Sequence, residues 1–221
     1  MSDNPFDPRN LDELPSEIAI FPLGGATLLP GTQLPLNIFE PRYLNMVLDA
    51  LAGSRMIAMV QPDPRHPESD PTKTYDVGCA GRIVAFNETG DGRILLSLQG
   101  VCRLRIAEEL DPRRGYRRVR PDFEPFAADL REDPGFELDR DALREAMTDY
   151  LEGNGIRIDW DALEKMPDAQ MVDFLSMHLP LAPEEKQALV EAMDAGDRVQ
   201  RLMALTQMAV PGSVDTEPTR H

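Results

Sequence analysis

The side chains that most often carry out chemistry are few in this 221-residue chain: three lysines, three histidines and two cysteines. A P-loop requires a glycine followed by a lysine that neutralises phosphate charge, and no glycine here precedes a lysine. The lysines, Lys73, Lys165 and Lys186, lie outside any sequence context typical of a serine–lysine peptidase. We therefore predict a protein without catalytic residues.

Histidine and cysteine chemistry is not indicated either. His66 lies in a proline-rich loop, His178 lies among apolar residues of a helical stretch, and His221 is the last residue, so all three are interpreted as structural or solvated. Cys79 and Cys102 lie in apolar, strand-like surroundings and form no Cys-x-x-Cys pair, which indicates buried reduced thiols. We expect no metal ion and no cofactor.

The chain carries a net charge of −16, and this charge is uneven. Residues 1–125 hold 14 Lys/Arg and 18 Asp/Glu, net −4, whereas residues 126–221 hold 9 and 21, net −12. Nucleic-acid binding depends on cationic neutralisation of phosphates, so we expect no nucleic-acid partner. No run of about 18 apolar residues and no signal-like N-terminus is present, which predicts a cytoplasmic protein without membrane contact.

Short strand patterns dominate the first half. Strands are predicted at Ile18–Phe21, Gln33–Ile38 and Arg55–Val60, and a hairpin is predicted from Tyr75 to Leu98 around Gly90-Asp91-Gly92. Gly100 indicates a bulge before a strand from Val101 to Ala107, and Tyr116–Pro121 is a further strand. Six or more short strands in about a hundred residues predict a closed or nearly closed antiparallel barrel.

One helix interrupts these strands. Pro41 occupies a typical first helical position, and Leu44, Val47, Leu48 and Leu51 recur with helical spacing before Gly53. We interpret those four side chains as the buried face. The opposite stripe, which we expect to be exposed, consists of Arg42, Asn45, Met46 and Asp49.

The second half has helical periodicity. Helices are expected around Leu143–Leu151, Asp161–Met166, Met171–Leu179, Pro183–Met193 and Val199–Thr206. The fold class is therefore α+β, with an extended arm over residues 1–16, a β domain over 17–125, a linker over 126–136, a helical subdomain over 137–210 and a disordered tail over 211–221.

A cluster of arginines, Arg113, Arg114, Arg117, Arg118 and Arg120, has three possible roles. Alternate residues of an antiparallel strand normally face water, so the cluster is interpreted first as a solvated surface. It could instead bind an acidic partner. Third, it could orient the acidic helical half that follows it in the sequence.

The order of these patterns resembles the N-terminal, substrate-binding domain of Lon proteases. The resemblance rests on Ile-Ala-Ile-Phe-Pro-Leu from Ile18 and Leu-Leu-Pro-Gly-Thr-Gln-Leu-Pro-Leu-Asn-Ile-Phe-Glu-Pro-Arg-Tyr from Leu28. It continues through Tyr-Asp-Val-Gly-Cys-Ala-Gly-Arg-Ile-Val from Tyr75 and Phe-Leu-Ser-Met-His-Leu-Pro-Leu from Phe174, and so covers residues 18–210. It implies a PUA-like β-barrel followed by a C-terminal helical subdomain, in a free-standing protein without ATPase or peptidase modules.

The resemblance also implies a function. We expect a non-enzymatic module that recognises unfolded or exposed apolar polypeptide segments, with polypeptides or a protease as partners, and that acts as an adaptor or regulator of proteolysis. The candidate binding residues are Leu29, Pro30, Arg42, Asn45, Met46 and Asp49, although the same residues could form an ordinary solvated helix face.

Two other functions stay open at this point. One is a small-ligand binding module related to the Lon-like domain of cereblon, where a separate zinc- and tryptophan-dependent domain holds the ligand; Trp160 is the only tryptophan here. The other is a hydrolase with a site that no motif reveals.

Overall fold

The computed structural model describes residues 8–131 and 136–208. Within these ranges the strands are β1 Ile18–Pro22, β2 Gln33–Ile38, β3 Met56–Val60, β4 Val77–Glu88, β5 Ile94–Arg113 and β6 Tyr116–Asp122. The helices are α1 Pro41–Leu51, α2 Arg140–Gly153, α3 Trp160–Leu163, α4 Asp168–His178, α5 Pro183–Val190 and α6 Ala195–Met208. In this part of the chain no helix is both long and apolar enough to cross a bilayer. The α+β fold class is confirmed.

The six strands form one sheet in the order β2-β5-β4-β3-β1-β6, and β5 also pairs with β6. This second pairing closes β5, β4, β3, β1 and β6 into a ring, which leaves β2 attached to β5. Four of the ring pairings are antiparallel, but β1 and β3 are parallel, so the prediction of an antiparallel barrel is wrong for that pair. The intervening β2 and α1 supply the long crossover that parallel strands require.

β5, Ile94–Arg113, is the longest strand because two predicted segments, Arg93–Leu98 and Val101–Ala107, are continuous and the strand extends beyond them to Arg113. Its first residues pair with β2 and its last residues with β6. The predicted bulge at Gly100 is confirmed, since the register passes from Ala80–Cys102 to Gly81–Gly100 and skips Val101. A Cβ on Gly100 would lie 2.0 Å from the carbonyl oxygen of Leu29, so this close approach requires glycine.

The described residues contain two apolar cores. One fills the barrel and includes Met177 and Val190 from the helical half; the other lies among the helices around Leu143, Met147 and Leu202. The predicted core role of Met193 is wrong, because α5 ends before it and its side chain is 80% exposed.

The segments predicted to be irregular are more ordered than expected. In the arm, Leu11–Glu13 forms a 3₁₀ turn and Leu14 is buried against the barrel. In the linker, Glu124–Leu130 forms a 3₁₀ helix that buries Phe126 against the barrel. Residues 1–7, 132–135 and the predicted tail lie outside the described residues.

A buried polar junction joins the two halves. Arg103, on β5, donates from Nε and Nη2 to the carboxylate of Asp129 at 2.9 and 2.8 Å. Its Nη1 donates to the carbonyls of Val190, at 3.1 Å, and Ala192, and Nη2 also reaches the carbonyl of Met193 at 3.3 Å. The guanidinium of one barrel residue thus binds the chain just past α5.

Three further side chains cross the junction. Gln187 donates to the carbonyl of Val77 at 3.0 Å, and Lys186 donates from Nζ to the carbonyl of Gly25 at 2.9 Å. From the barrel side, Gln61 donates to the carbonyl of Pro183 at 3.2 Å. Together with Arg103, these bonds pair the donors of Gln187, Lys186 and Gln61 across the junction, whereas the side-chain oxygen of Gln61 is buried without a described partner.

Candidate functional site

The start of α1 carries the first candidate residue. Pro41 holds the first helical position after the extended Glu40. Arg42 is exposed, and its Nη2 forms a salt bridge of 2.9 Å with Glu40, while its guanidinium carbon lies 4.5 Å from the centre of the Tyr43 ring. Since exposed ion pairs contribute only about 0 to 1 kcal/mol, Arg42 can exchange Glu40 for a ligand at small cost.

The buried face of α1 differs from the predicted one. Tyr43, Met46 and Val47 face the core, whereas Leu48 is 46% exposed. The Phe21 ring of β1 lies 4.3 Å from the Tyr43 ring, so this side of the helix packs on the barrel. The predicted exposure of Met46 is therefore wrong.

The prediction that Leu29 is a binding residue is also corrected. Its side chain is buried in the barrel core, because its carbonyl must lie against Gly100 where the loop enters β2. Leu29 and Met46 therefore lie in the core, beneath the surface formed by the other candidate residues. Pro30, Arg42, Asn45 and Asp49 are at least partly accessible.

Asn45 and Asp49 are brought together with the turn between β5 and β6. Arg114 donates to Asp49 and to the Asn45 side-chain oxygen, each at 2.7 Å, and Asn45 donates back to the Arg114 carbonyl at 3.1 Å. Tyr116 donates its hydroxyl to Asp49 at 2.9 Å. The left-handed backbone of Gly115 (φ 88°) allows the turn to approach α1 this closely.

These contacts change the acidity of Asp49. Burial alone raises its pKa, but the hydrogen bonds from Tyr116 and Arg114 and the charges of Arg114 and Arg113 outweigh burial and lower it. Asp49 is therefore a carboxylate engaged in holding the turn.

The other arginines of the cluster bind the barrel itself. Arg117 forms a two-pronged salt bridge with Glu109 and donates to the carbonyl of Thr72. Arg118 pairs with Glu17, and Arg120 with Glu108. Among the contacts described, the cluster reaches no residue of the helical half, so none of these contacts supports the interpretation that it orients that half.

A cavity of about 210 Å³ adjoins α1. The rings of Tyr43 and Tyr116 and the side chains of Ile20 and Pro22 form its apolar wall. The polar side is formed by Arg42, Arg117, Asp70 and Thr72. Since all three guanidinium nitrogens of Arg117 are already bonded, Arg42 is the cationic group left for a ligand in this cavity.

A second surface, which sequence reasoning missed, lies on the sheet beside α1. In the register, Pro35 pairs with Ser97, and Asn37 pairs with Leu95. Phe39 continues the alternation of Pro35 and Asn37. We call the outer face the exposed surface formed by Pro35, Asn37, Phe39, Val84 and Leu95.

The outer face exposes large apolar side chains. Phe39 is 60% exposed, Leu95 45% and Val84 38%. The Arg93 guanidinium lies 5.9 Å from the Phe39 ring. Alternation within β2 predicts which of its residues share a face, but only the fold shows that nothing among the described residues covers this one.

The two cysteines and His178 lie in environments that fit structural roles. Cys79 and Cys102 are buried, and burial raises the pKa of both thiols, that of Cys102 to about 12, which disfavours the nucleophilic thiolate. His178 makes a hydrogen bond to the Phe174 carbonyl of its own helix. No group of three or more His, Cys, Asp and Glu side chains is placed to bind a metal within residues 8–131 and 136–208.

Comparisons with known proteins give consistent matches. The family described as the ATP-dependent protease La (LON) substrate-binding domain matches residues 17–207. The Lon protease of Dictyoglomus thermophilum is 23% identical over 190 residues, which are 86% of this chain and 24% of that protein. The chain thus spans about a quarter of the length of the curated relatives it matches.

Two solved structures share the fold. The Lon N-terminal domain protein from Xanthomonas campestris has a TM-score of 0.60 and 23% identity, and the match covers 86% of this chain and 98% of that one. The N-terminal domain of the Mycobacterium avium complex Lon protease has a TM-score of 0.58 and 16% identity, with 86% and 97% covered.

Proposed function

The chain belongs to the family of Lon substrate-binding domains, and from this premise we propose that it binds unfolded or exposed apolar polypeptide segments without changing them chemically. The family supports a substrate-binding role. The apolar character of the bound segments and the non-enzymatic action are our proposal.

The outer face carries this proposal. Soluble proteins seldom leave neighbouring large apolar side chains exposed unless they bind something there. Phe39 and Leu95 are such side chains, since Leu95 pairs with Asn37, two residues before Phe39, and the polar residues Asn37 and Asn87 on either side of Leu95 are suited to a polypeptide of mixed composition. Burying an apolar side chain of a ligand here contributes about 25 cal/mol per Å².

The accessible candidates around α1 extend this surface. Phe39 is three residues from Arg42, so a segment bound at the outer face reaches the start of α1 and its cavity. Pro30, Arg42, Asn45 and Asp49 are proposed as the flanking contacts. Leu29 and Met46 take no part in contact, because they are buried.

Fluorescence anisotropy with a permanently unfolded protein tests the proposal. The probe is fluorescein-labelled, reduced and carboxymethylated α-lactalbumin. Phe39→Asp and Leu95→Asp are expected to weaken binding about tenfold or more. Met193→Asp is the matched control, since it places the same charge at an exposed apolar residue of the helical half.

Circular dichroism establishes that each variant is folded. Equal affinities for Phe39→Asp, Leu95→Asp and Met193→Asp would exclude the outer face as the binding surface. Turnover of the probe or of ATP, abolished by one substitution in the chain, would contradict the non-enzymatic role.

We also propose that binding serves proteolysis, as an adaptor or a regulator. This step rests on the family, whose curated relatives here are Lon proteases. The rate at which a Lon protease degrades the same probe is expected to change when the chain is added. That change is expected to disappear with Phe39→Asp, and an identical rate with and without the chain would contradict the role.

A further inference from the structure

The sheet has one edge that the described chain leaves without a neighbour. β5 pairs with β2 on one side and β4 on the other, whereas β2 pairs with β5 alone. The next element along the chain, α1, packs on β1, β3 and β6. Gln33, Pro35 and Asn37 of β2 are exposed. An edge strand of this kind presents backbone groups that can pair with another chain.

The hydrogen-bonding pattern between β2 and β5 shows which backbone groups of β2 face away from β5. The N–H of Gly100 on β5 donates to the carbonyl of Thr32 at 2.9 Å, so Thr32 faces β5. In an antiparallel pair the groups of alternate residues face the partner, which assigns Leu34, Leu36 and Ile38 to β5 as well. The backbone groups of Gln33, Pro35 and Asn37 then face the open edge.

Pro35 supports this assignment independently. Proline has no N–H, and within a sheet it is confined to positions where no ladder bond is required of it. The backbone of Pro35 therefore faces the open edge of β2, away from β5. The edge offers three carbonyls, from Gln33, Pro35 and Asn37, and two N–H donors, from Gln33 and Asn37.

We propose that the open edge of β2 binds an extended polypeptide segment as an added strand of the sheet. The inference rests on the proposed function and specifies how the same surface recognises its ligand. Backbone pairing does not depend on side-chain identity, so it suits a protein that binds unfolded chains of many sequences. Alternate side chains of the added strand lie beside the β2 side of the outer face, where Phe39 provides apolar contact.

A second copy of this chain is a poorer occupant of the edge. Each copy carries a net charge of −16, so two copies repel one another. In an antiparallel pair of two β2 edges centred on Pro35, the two prolines would lie opposite each other and neither could donate. An unfolded segment with an N–H at that position loses fewer bonds.

Substitutions that change only the backbone donors test the proposal. The probe is again carboxymethylated α-lactalbumin, followed by anisotropy. Asn37→Pro removes an edge N–H and is expected to weaken binding about threefold to tenfold, the usual effect of one hydrogen bond. Asn37→Ala also loses the side chain but keeps the N–H, so the difference in affinity between Asn37→Pro and Asn37→Ala measures the contribution of the N–H alone.

Pro35→Ala is a gain-of-function test. It adds an N–H in the middle of the edge and is expected to tighten binding about threefold to tenfold. Hydrogen exchange is expected to slow at the amides of Gln33 and Asn37 when the probe is bound, while the amides that face β5 change little.

The outcomes separate the two proposals. If the wild-type chain binds the probe but Asn37→Pro equals Asn37→Ala, and Pro35→Ala equals the wild type, strand addition is excluded and the proposed function stands. If the wild type does not bind the probe, both fail. A wild-type dimer in sedimentation equilibrium that Asn37→Pro dissociates would assign the edge to a second copy and overturn the inference.

Discussion

β5 contributes to two regions of opposite character. At Arg103 it passes through the junction with the helical half, where a cationic side chain only 2% exposed binds one carboxylate and three carbonyls. At Leu95, eight residues earlier, the same strand lies under the outer face, where apolar side chains are open to solvent. One region buries polar groups and the other exposes apolar ones.

This difference distinguishes residues that stabilise the fold from residues that are available to bind a ligand. A buried charge is tolerated when every donor has a partner, and removing that partner is expensive. The junction meets this condition, so its unusual residues are explained by the fold. Phe39, Val84 and Leu95 are exposed although they are apolar, and their exposure is what the proposed binding of a polypeptide would explain.

The largest effect is expected at the junction. Arg103→Met leaves Asp129 buried without its cation and leaves the carbonyls past α5 without their donor, so we expect the free energy of unfolding to fall by about 3–5 kcal/mol. Urea unfolding followed by circular dichroism measures the loss. Arg105→Met is the control on the same strand, and as an exposed residue it should cost less than about 0.5 kcal/mol. Equal losses would show that the junction is not a distinct region.

The second test compares a buried and an exposed apolar residue within α1. Met46→Ala opens space in the barrel core and is expected to cost about 2–5 kcal/mol. Leu48→Ala, at a partly exposed residue of the same helix, is expected to cost less than about 1 kcal/mol. Thermal and urea unfolding of both variants measure the difference. A larger loss of stability for Leu48→Ala than for Met46→Ala would contradict the observed buried face of α1 and support the face that the periodicity predicted.

A smaller, pH-dependent effect is expected where α1 meets the turn between β5 and β6. Because the folded-state pKa of Asp49 lies below its ordinary value of 3.8, its contribution to stability is present above pH 3.8 and is lost as the pH falls through the folded pKa. Tyr116→Phe removes a hydrogen bond to the carboxylate and should raise this pKa. An NMR titration of Asp49 measures it.

The same variant should be less stable than the wild type at neutral pH, and the gap should narrow below pH 3.8. Tyr43→Phe is the control, because Tyr43 makes no described hydrogen bond to Asp49. A pKa of Asp49 unchanged by Tyr116→Phe would mean that Arg114 alone holds the carboxylate.

The smallest effect is expected for the exposed arginines. Arg120→Ser removes one exposed ion pair and should cost about 0–1 kcal/mol. Arg118→Ser should cost somewhat more, because Arg118 is partly buried and also donates to the carbonyl of Asp111. Because these arginines bind barrel residues, the radius of gyration from small-angle scattering should not change between low and 1 M salt, in the wild type or the double variant. Expansion at high salt in the wild type alone would show that the cluster does hold the helical half.

Local patterns predicted the elements well. The bounds of β2, the start of α1 at Pro41 and the bulge after Gly100 follow from proline, glycine and alternation, whose effects act within a few residues. The helices around Leu143 and Leu175 follow in the same way from their 3.6-residue period.

The site was harder to predict because its features depend on distant contacts. α1 has apolar residues around much of its circumference, including Tyr43, Met46 and Leu48, so its period does not decide which edge is buried. In the structure the buried side is the one on which Tyr43 contacts the Phe21 ring. In the same way, the sequence around Arg103 and Arg105 on β5 does not show which of the two is buried. Arg103 is buried because the segment that follows α5, some 90 residues later in the chain, packs against it.

The placement of Arg103 also bears on how the chain can be divided. A barrel cut off before α2 would keep a guanidinium whose carbonyl partners are gone, and its core would lack Met177 and Val190. We therefore expect the two halves to unfold in one cooperative transition, and we expect a barrel separated from the helices to be less stable than the whole chain. The barrel and the helical half are distinct in architecture, but we expect them to be stable only together.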